Sequence, residues 1–325
     1  MNTHRFPSWV SMFAAMVVSA AALLAAQASP GGATIQERLG YTPNARLLII
    51  HADDLGMAHS VNRATFEALE HGWITSSSIL VPCPWLPEVA RWAKAHPDAD
   101  LGIHLAVNSE WTGFRWAPLS GRGAVPSLVD AQGYMALEEN EVVANARPDE
   151  VERELRAQID FARTSGINPT HLDSHMATLF HTVPLFDVYR KMSAAYNLPQ
   201  LIERLGARGG QPSPWATPSA QADALVDRVI SIDPGPTPDQ WLAAYEKLLS
   251  GLPPGVYELI VHLAYDDDEM RGATWDHPNW GAAWRQSDLD LVKSAAFQEF
   301  LKQQQFKLMT WRELGKAGKS MVAGR

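Results

Sequence analysis

Apolar, β-branched runs alternate with amphipathic helical segments along most of the chain, and this alternation constrains the fold more than any other feature. Helical segments such as SVNRATFEALEHG and PDEVERELRAQIDFARTSG separate the runs. About eight strands in strict alternation with helices predict an α/β fold, a (β/α) barrel or a close variant of one. An open doubly wound sheet is the alternative, because it has the same one-dimensional pattern. The strand candidates are RLLIIHA, SSSILVP, LGIHLAV, PTHLDS, QLIER, RVISI, YELIVHLAY and FKLMTW.

The first 28 residues are typical of a secretory signal peptide. Arg5 provides a short basic start, an apolar run follows, and Ala26-Gln27-Ala28 forms an A-x-A cleavage site. An uncleaved membrane anchor is the alternative, but the small residues and the Pro-Gly-Gly after them favour cleavage. We therefore expect an exported protein, periplasmic or secreted, without a stable membrane anchor after cleavage. The predicted organisation is a signal peptide at 1–28, an N-terminal extension at 29–45, a single catalytic domain at 46–315 and a flexible tail at 316–325.

Composition and charge argue against several classes of function. Hydrophobic residues make up 46% of the chain and charged residues 19%, as in a globular protein. The formal net charge of −9 argues against a nucleic-acid-binding protein, which normally has a basic face. No G-x-G-x-x-G follows the first strand candidate, so a dinucleotide site has no support. The single cysteine, Cys83, cannot form an intramolecular disulfide and is better explained as a small buried apolar residue.

Polar residues cluster at the predicted carboxyl ends of several strands. Asp53 and Asp54 come directly after the first strand, where two adjacent carboxylates repel each other and lose hydration unless a cation or a proton compensates them. Barrel enzymes assemble their active sites at the carboxyl ends of the strands. We therefore expect one site that contains Asp53, Asp54, His104, His171, Asp173, His175 and His262.

A divalent metal site explains this set of residues. One carboxylate and two neutral imidazoles provide three ligands and leave positions open for water and substrate. One aspartate of the pair can bind the cation while the other accepts a proton. Imidazole ligands favour zinc or another transition metal, and an oxygen-rich site would also accept magnesium. Each signal has a structural alternative, since a strand histidine is often only hydrogen-bonded and Asp-Asp-x-Gly can be a turn with helix-capping acids.

Three motifs in order resemble the YdjC-like carbohydrate deacetylases, which are metal-dependent enzymes with a distorted (β/α) barrel. The motifs are IIHADDLGMAHSVNRATFEALEHGWITSSSILV, LGIHLAV and PTHLDSH, and the resemblance extends from about Arg46 to the strand KLMTW. It implies a TIM-like, distorted barrel and one divalent metal ion, zinc or magnesium. Many family members continue D-S-H with further alternating histidines, whereas this chain has Ala177 and Leu179 there. This departure predicts a different pocket wall, so the substrate is less constrained than the metal or the hydrolysis.

The resemblance also implies a role for each polar residue. Asp54, His104 and His175 would be the metal ligands. Asp53 would be the general base, and His262 occupies the position of the family's late strand-end histidine. His171 and Asp173 are expected to orient His175 or its strand. The alternative is that they form caps and turn hydrogen bonds at the strand end.

Several tryptophans in predicted loops are candidates for contact with sugar rings. Trp111, Trp116 and Trp215 belong to this group, and core packing at the rim is the alternative for each. The best candidate for a substrate rim is the segment YDDDEMRGATWDHPNWGAAWRQSD, with Trp275, Trp280 and Trp284. The same segment contains three acids that form either a second cation site or, as we favour, a solvated acidic turn: Asp266, Asp267 and Asp268.

These observations predict an exported metal-dependent hydrolase that removes N-acetyl groups from an amino sugar or glycan and releases acetate. Asp53 would accept a proton from water held by the cation, and His262, if protonated, would donate one to the departing amine. The expected partner is an acetylated carbohydrate, and the sequence does not constrain the oligomeric state. The alternatives are an esterase or amidase that acts on another substrate and a non-catalytic carbohydrate-binding barrel. The presence of both Asp53 and Asp54 argues against the binding protein, which needs no base.

Overall fold

A computed structural model describes residues 33–204 and 225–323. The predicted signal peptide and Trp215 lie outside these residues, so export stays a prediction. Buried apolar side chains explain the strands: the four residues from Leu47 to Ile50 have no solvent exposure. The strands of the described residues are β1 (Arg46–Leu55), β2 (Ser76–Ile79), β3 (Leu101–Leu105), β4 (Leu172–Ser174), β5 (Arg228–Ile230), β6 (Gly255–Val261) and β7 (Phe306–Leu308).

All pairs between these strands are parallel, and their order is β4-β3-β2-β1-β6-β5. Residues 46–52 of β1 pair with β6 on one side. On the other side, β7 pairs with the beginning of β1 and β2 pairs with its second half. The carboxyl ends of these parallel strands therefore meet at one end of the sheet, as the sequence predicted.

The barrel is distorted because its closure depends on single bridges. The predicted strand QLIER forms no continuous ladder; instead Gln200 bridges to Leu172 of β4, and Glu203 bridges to Val226, just before β5. This segment connects the two edges of the curled sheet. The predicted (β/α) barrel is thus confirmed in a distorted form, with isolated bridges where the sequence predicted an eighth strand.

The helices begin and end largely where the sequence signals predict. Pro148 and the acids that follow it begin the long helix at 148–164, and Asn197, with a φ of 52°, ends the helix at 183–196. Among the described residues, no helix has the length and apolarity needed to span a bilayer. The helices are α1 (Ile35–Arg38), α2 (His59–Glu70), α3 (Leu86–Ala95), α4 (Glu139–Asn145), α5 (Pro148–Thr164), α6 (Val183–Tyr196), α7 (Trp241–Leu249), α8 (Asp268–Ala273), α9 (Ala282–Lys293), α10 (Ala295–Gln303) and α11 (Trp311–Ala323).

The last helix changes the interpretation of the C-terminal segment. α11 continues to Ala323, so residues 316–323 are helical where the sequence predicted a flexible tail. Trp311, at the start of α11, has no solvent exposure, and its ring stacks on His171 inside the barrel with the centroids 5.0 Å apart. The start of α11 therefore packs against the barrel interior. The predicted domain limits remain predictions.

The apolar core lies mainly between the sheet and its helices. One cluster packs β2, β3 and β4 against α3, α5 and α6, and a second packs β1 and β6 against α7, α9 and α10. Each fully buried Leu, Ile, Val or Phe contributes about 1.5–3 kcal/mol. The barrel interior, by contrast, contains fully or almost fully buried polar groups: His51, Ser76, Ser78, His171, Asp173 and Glu258.

Candidate metal centre

The paired aspartates lie at an irregularity in β1. The register of β1 against β2 shifts between Ala52 and Leu55, and Asp54 has a positive φ of 68°. In a regular strand, consecutive side chains point to opposite faces, whereas a bulge re-aims them. Gly56, with a φ of 97°, continues the turn, and its N–H donates to Asn62 Oδ1 at 2.8 Å. Asp53 and Asp54 can therefore approach one cluster, and both are buried.

Asp54 meets two histidines from other strands. Its Oδ1 lies 3.6 Å from His104 Nε2, on β3, and 3.5 Å from His175 Nδ1, directly after β4. All three side chains are buried, and their potential ligand atoms lie within 4.8 Å of one another. The three residues that the family resemblance assigned to the metal thus converge.

In each histidine, the hydrogen bond made by one ring nitrogen determines whether the other nitrogen can bind a cation. His104 Nδ1 lies 2.8 Å from Asp173 Oδ1, and His175 Nε2 lies 2.9 Å from Glu110 Oε2. Because ionised carboxylates only accept hydrogen bonds, these nitrogens carry the protons. His104 Nε2 and His175 Nδ1 are then the atoms that can present lone pairs to a cation on the side of Asp54 Oδ1, a buried oxygen without a hydrogen-bond partner. This donor set fits a divalent cation, with carboxylates behind both imidazoles.

The charge of Asp54 is compensated within the protein. Arg285, on α9, is buried, and its Nη1 lies 2.8 Å from Asp54 Oδ2. Burial alone would raise the pKa of Asp54, but the Arg285 guanidinium and His175 hold it well below its usual range. Burial would lower the pKa of His175, but Glu110 and Asp54 raise it to about 10 in the metal-free protein. A cation that binds His175 Nδ1 would therefore displace a proton from this nitrogen. Asp54 is therefore ionised and able to bind a cation.

Asp53 lies beside this cluster and next to His262. Its Oδ2 is 3.8 Å from His104 Nε2 and 3.7 Å from His262 Nε2, while its Oδ1 is 3.3 Å from His51 Nε2. Burial lowers the pKa of His262 to about 4, so its ring is neutral at neutral pH. The backbone N–H of His262 donates to buried Asp288 Oδ2 at 2.8 Å, which fixes its position beyond β6.

Comparison with known proteins identifies the family of this chain. Residues 47–303 match the family described as YdjC-like protein. The chain belongs to the YdjC-like family. It is 33% identical over 284 residues to a carbohydrate deacetylase of Thermus thermophilus, a match that covers 86% of this chain and 98% of that protein. It is 24% identical over 279 residues to a chitooligosaccharide deacetylase of Yersinia enterocolitica, covering 82% of this chain and 99% of that protein.

A solved structure supports the fold of this YdjC-like protein. A protein from Enterococcus faecalis V583, described as a candidate cellobiose-phosphate cleavage protein, superposes with a TM-score of 0.69. The match has 23% sequence identity and covers 83% of this chain and 99% of that chain. At this identity, the likeness shows the fold alone.

The residues around the cluster of this YdjC-like protein differ in part from the prediction. Asp173 orients a histidine as expected, but its partner is His104 and not His175. His171 stacks on Trp311 and has Thr170 Oγ1 3.0 Å from its Nδ1, so it does not orient His175. The prediction assigned these residues to His175 or its strand by closeness in sequence, whereas neighbouring parallel strands bring Asp173 opposite His104.

Sequence reasoning missed three residues at this site. Glu110 lies in the long loop after β3, and Arg285 lies within the segment interpreted as a substrate rim. His51 precedes Asp53 by two positions, so strand periodicity could have placed it on the same side. Neither Glu110 nor Arg285 has a spacing signal, because only the folded loops and α9 bring them to the site.

The tryptophans and acids that were candidates for sugar or cation contacts lie in different environments in this YdjC-like structure. Trp275 and Trp280 are exposed, at 66% and 39%, whereas Trp284 is buried on α9 against His262 and does not fit the exposed rim predicted for it. Trp111 and Trp116 are also buried, as is Cys83. The favoured interpretation of the three acids as a turn agrees with their contacts within the protein. Asp266 and Asp268 pair with Arg271, and Asp267 accepts hydrogen bonds from the Met270 N–H and from Ser60 Oγ.

Proposed function

We propose that the protein is an exported, divalent-metal-dependent hydrolase that removes N-acetyl groups from an amino sugar or glycan and releases acetate. The observation that carries the proposal is the convergence of Asp54, His104 and His175, whose potential ligand atoms lie within 4.8 Å of one another, beside the buried carboxylate of Asp53. The named activities of the relatives, carbohydrate and chitooligosaccharide deacetylation, supply the reaction class.

Asp54 Oδ1, His104 Nε2 and His175 Nδ1 are the atoms that would hold the cation, zinc or magnesium. A divalent cation in this position supplies a Lewis acid and lowers the pKa of bound water toward roughly 7. Two charged groups support these ligands: Asp173 fixes the His104 ring, and Glu110 fixes the His175 ring.

Asp53 and His262 would move the protons. Asp53 accepts the proton of the attacking water, and its Oδ2 lies 3.8 Å from His104 Nε2, one of the atoms that would hold the cation. His262 is neutral in the free protein, so as an acid it must first gain a proton. Asp53 Oδ2, 3.7 Å from His262 Nε2, is the nearby source. The departing amine would then receive its proton from His262 and leave as a neutral molecule.

Two loops border the site and provide a surface for a sugar. The Thr112 N–H, in the loop after β3, donates to Asp276 Oδ2 at 2.8 Å. A Cβ atom at Gly113 would lie 2.6 Å from Trp275 Nε1, so the indole packs directly on this loop. Exposed Trp275 and Trp280 offer ring faces, and Trp280 contacts Trp284, which packs on His262. An acetylated carbohydrate fits this aromatic rim.

Two alternatives use the same barrel. An esterase or amidase with another substrate would need the same metal ligands and base. A non-catalytic carbohydrate-binding protein would not need Asp53 next to His262, so the geometry favours an enzyme. Export to the periplasm or the medium follows from the N-terminal pattern alone.

The test is acetate release from acetylated mono-, oligo- and polysaccharides, with the metal removed by chelation and then restored. We expect activity to disappear and to return with the cation. Asp53→Asn should lower kcat by about 100- to 10,000-fold while the protein keeps its metal. Asp268→Asn is the matched control, since this carboxylate is exposed and pairs with Arg271. Full turnover by Asp53→Asn would contradict the base assignment, and ester cleavage without amide cleavage would favour the esterase.

A further inference from the structure

His51 lies at the floor of the site and contacts neither the substrate rim nor the three proposed ligands. It is fully buried on β1. Its Nε2 is 3.1 Å from Asp173 Oδ2 and 3.3 Å from Asp53 Oδ1. Its Nδ1 is 3.0 Å from Ser76 Oγ and 3.7 Å from Glu258 Oε1. One imidazole therefore lies among three buried carboxylates from three strands.

The hydrogen bonds assign a proton to His51 Nδ1. The Ser76 hydroxyl donates to Asp100 Oδ1 at 2.9 Å, so its single proton is used there. Ser76 Oγ can then only accept from His51, which requires a proton on Nδ1.

The opposite nitrogen also needs a proton. A lone pair on Nε2 would face the oxygens of Asp173 and Asp53, and both would repel it. Burial would raise the pKa of Asp173, but His104 and His51 hold it below its usual range, so this carboxyl is ionised and accepts. Ser78 Oγ also lies 3.0 Å from Nε2. Both ring nitrogens therefore donate.

We infer that His51 is a permanently protonated positioning residue, an imidazolium that holds the proposed base Asp53 and the His104-orienting Asp173 in place. Its charge offsets carboxylates that would otherwise repel each other in a site with little water. Burial lowers the pKa of His51, but Asp173, Asp53 and Glu258 together raise it well above its ordinary value. The positioning role rests on the proposed hydrolase function, whereas the protonation state does not.

The charges around His51 indicate that its imidazolium balances the carboxylates at the floor of the site. Glu258, on β6, is buried, and burial raises its pKa to about 8. His171 directly precedes β4, and its ring centroid lies 5.0 Å from that of His51. Burial lowers the pKa of His171 well below the ordinary value. His104 lies beyond Ser78, and Asp100 lies beyond Ser76.

The direct test is nitrogen NMR of the metal-loaded full chain with ¹⁵N-labelled histidine, with the His51 signals assigned from the spectrum of His51→Gln. We expect both ring nitrogens of His51 to stay protonated from about pH 6 to about pH 8, while exposed histidines titrate. A bare nitrogen on His51 anywhere in this range would overturn the inference. The protonation state is read from the wild-type protein, and the variant serves only to assign the His51 signals.

Kinetics test the positioning role. His51→Asn should lower kcat by about 10- to 100-fold with little change in KM, and should add little loss to Asp53→Asn in a double-mutant cycle. His96→Asn, a partly exposed histidine near Glu70, is the control. Independent, additive losses, or a change in KM alone, would overturn the positioning role. Absence of acetate release by the wild-type protein would instead refute the proposed function and leave the NMR result standing.

Discussion

Among the described residues, three buried groups of histidine and aspartate bring potential ligand atoms together, and the two that share no residue differ in how their ring nitrogens are used. The upper cluster is Asp54, His104 and His175, and the lower cluster is His51, His171 and Asp173. Both bring three potential ligand atoms within 4.8 Å of one another. Distance alone therefore does not distinguish a metal site from a hydrogen-bonded core.

In the lower cluster, most ring nitrogens are engaged in hydrogen bonds, and the one without a partner, His171 Nε2, is covered by the backbone. Both nitrogens of His51 donate hydrogen bonds, and Thr170 Oγ1, whose proton goes to Asp100, accepts from His171 Nδ1. His171 Nε2 lies against Gly102, where a Cβ would come within 2.3 Å of it. In the upper cluster, by contrast, carboxylates bind the far nitrogens, and the near nitrogens face Asp54 Oδ1, where they can present lone pairs to a cation. The difference indicates that the hydrogen-bond partner of one ring nitrogen determines whether the other nitrogen of a buried histidine can bind a metal ion.

Replacing a ligand of the upper cluster should have the largest effect. Asp54→Asn keeps the size of the side chain and tolerates the positive φ at this position, so it removes mainly the charge. We expect loss of bound metal and a fall in turnover on the order of 100- to 1,000-fold. Metal content of the purified variant, measured beside acetate release, checks this, and a fully metal-loaded variant would show that the ion binds elsewhere.

Asp173 belongs to the lower cluster but supports the upper one, so its replacement should have an intermediate effect. Asp173→Asn removes the charge behind His104 and should weaken metal affinity by about 10- to 100-fold. A competition titration against a metal-sensitive dye measures this change. Unchanged affinity would mean that the two clusters are independent.

The smallest effect on turnover is expected from a change confined to the lower cluster. Gly102→Ala places a methyl group against the His171 ring and should lower the free energy of unfolding by about 1–3 kcal/mol, with the metal content unchanged. Denaturant unfolding measures the loss. Gly123→Ala is the matched control, because a Cβ there has nothing within 4 Å. Loss of metal in Gly102→Ala, but not in the control, would assign the lower cluster a part in binding.

Strand periodicity was enough to predict the barrel and the strand ends that carry the site. LGIHLAV and PTHLDSH place His104 and His175 at neighbouring strand ends, because carboxyl ends of parallel strands meet at one end of a barrel. The shift in β1 that re-aims Asp54 has no comparable signal. A positive φ at an aspartate depends on the turn through Gly56 and on the contacts around it.

Partners that come from distant segments were beyond sequence reasoning. Glu110 reaches His175 from a loop, and Arg285 reaches Asp54 from a helix more than 200 positions away. The segment QLIER has strand-like composition, but its bridges at Gln200 and Glu203 go to different neighbours, so no regular strand forms. Local pattern determines the tendency to form a strand, whereas tertiary contacts determine whether a ladder forms.

The most direct measurement is anomalous diffraction, at the zinc absorption edge, from crystals of the zinc-loaded protein. One ion should lie about 2.0–2.2 Å from Asp54 Oδ1, His104 Nε2 and His175 Nδ1, with no ion between His51, His171 and Asp173. An ion in the lower cluster, or an upper cluster whose three side chains bind no metal under these conditions, would contradict the account.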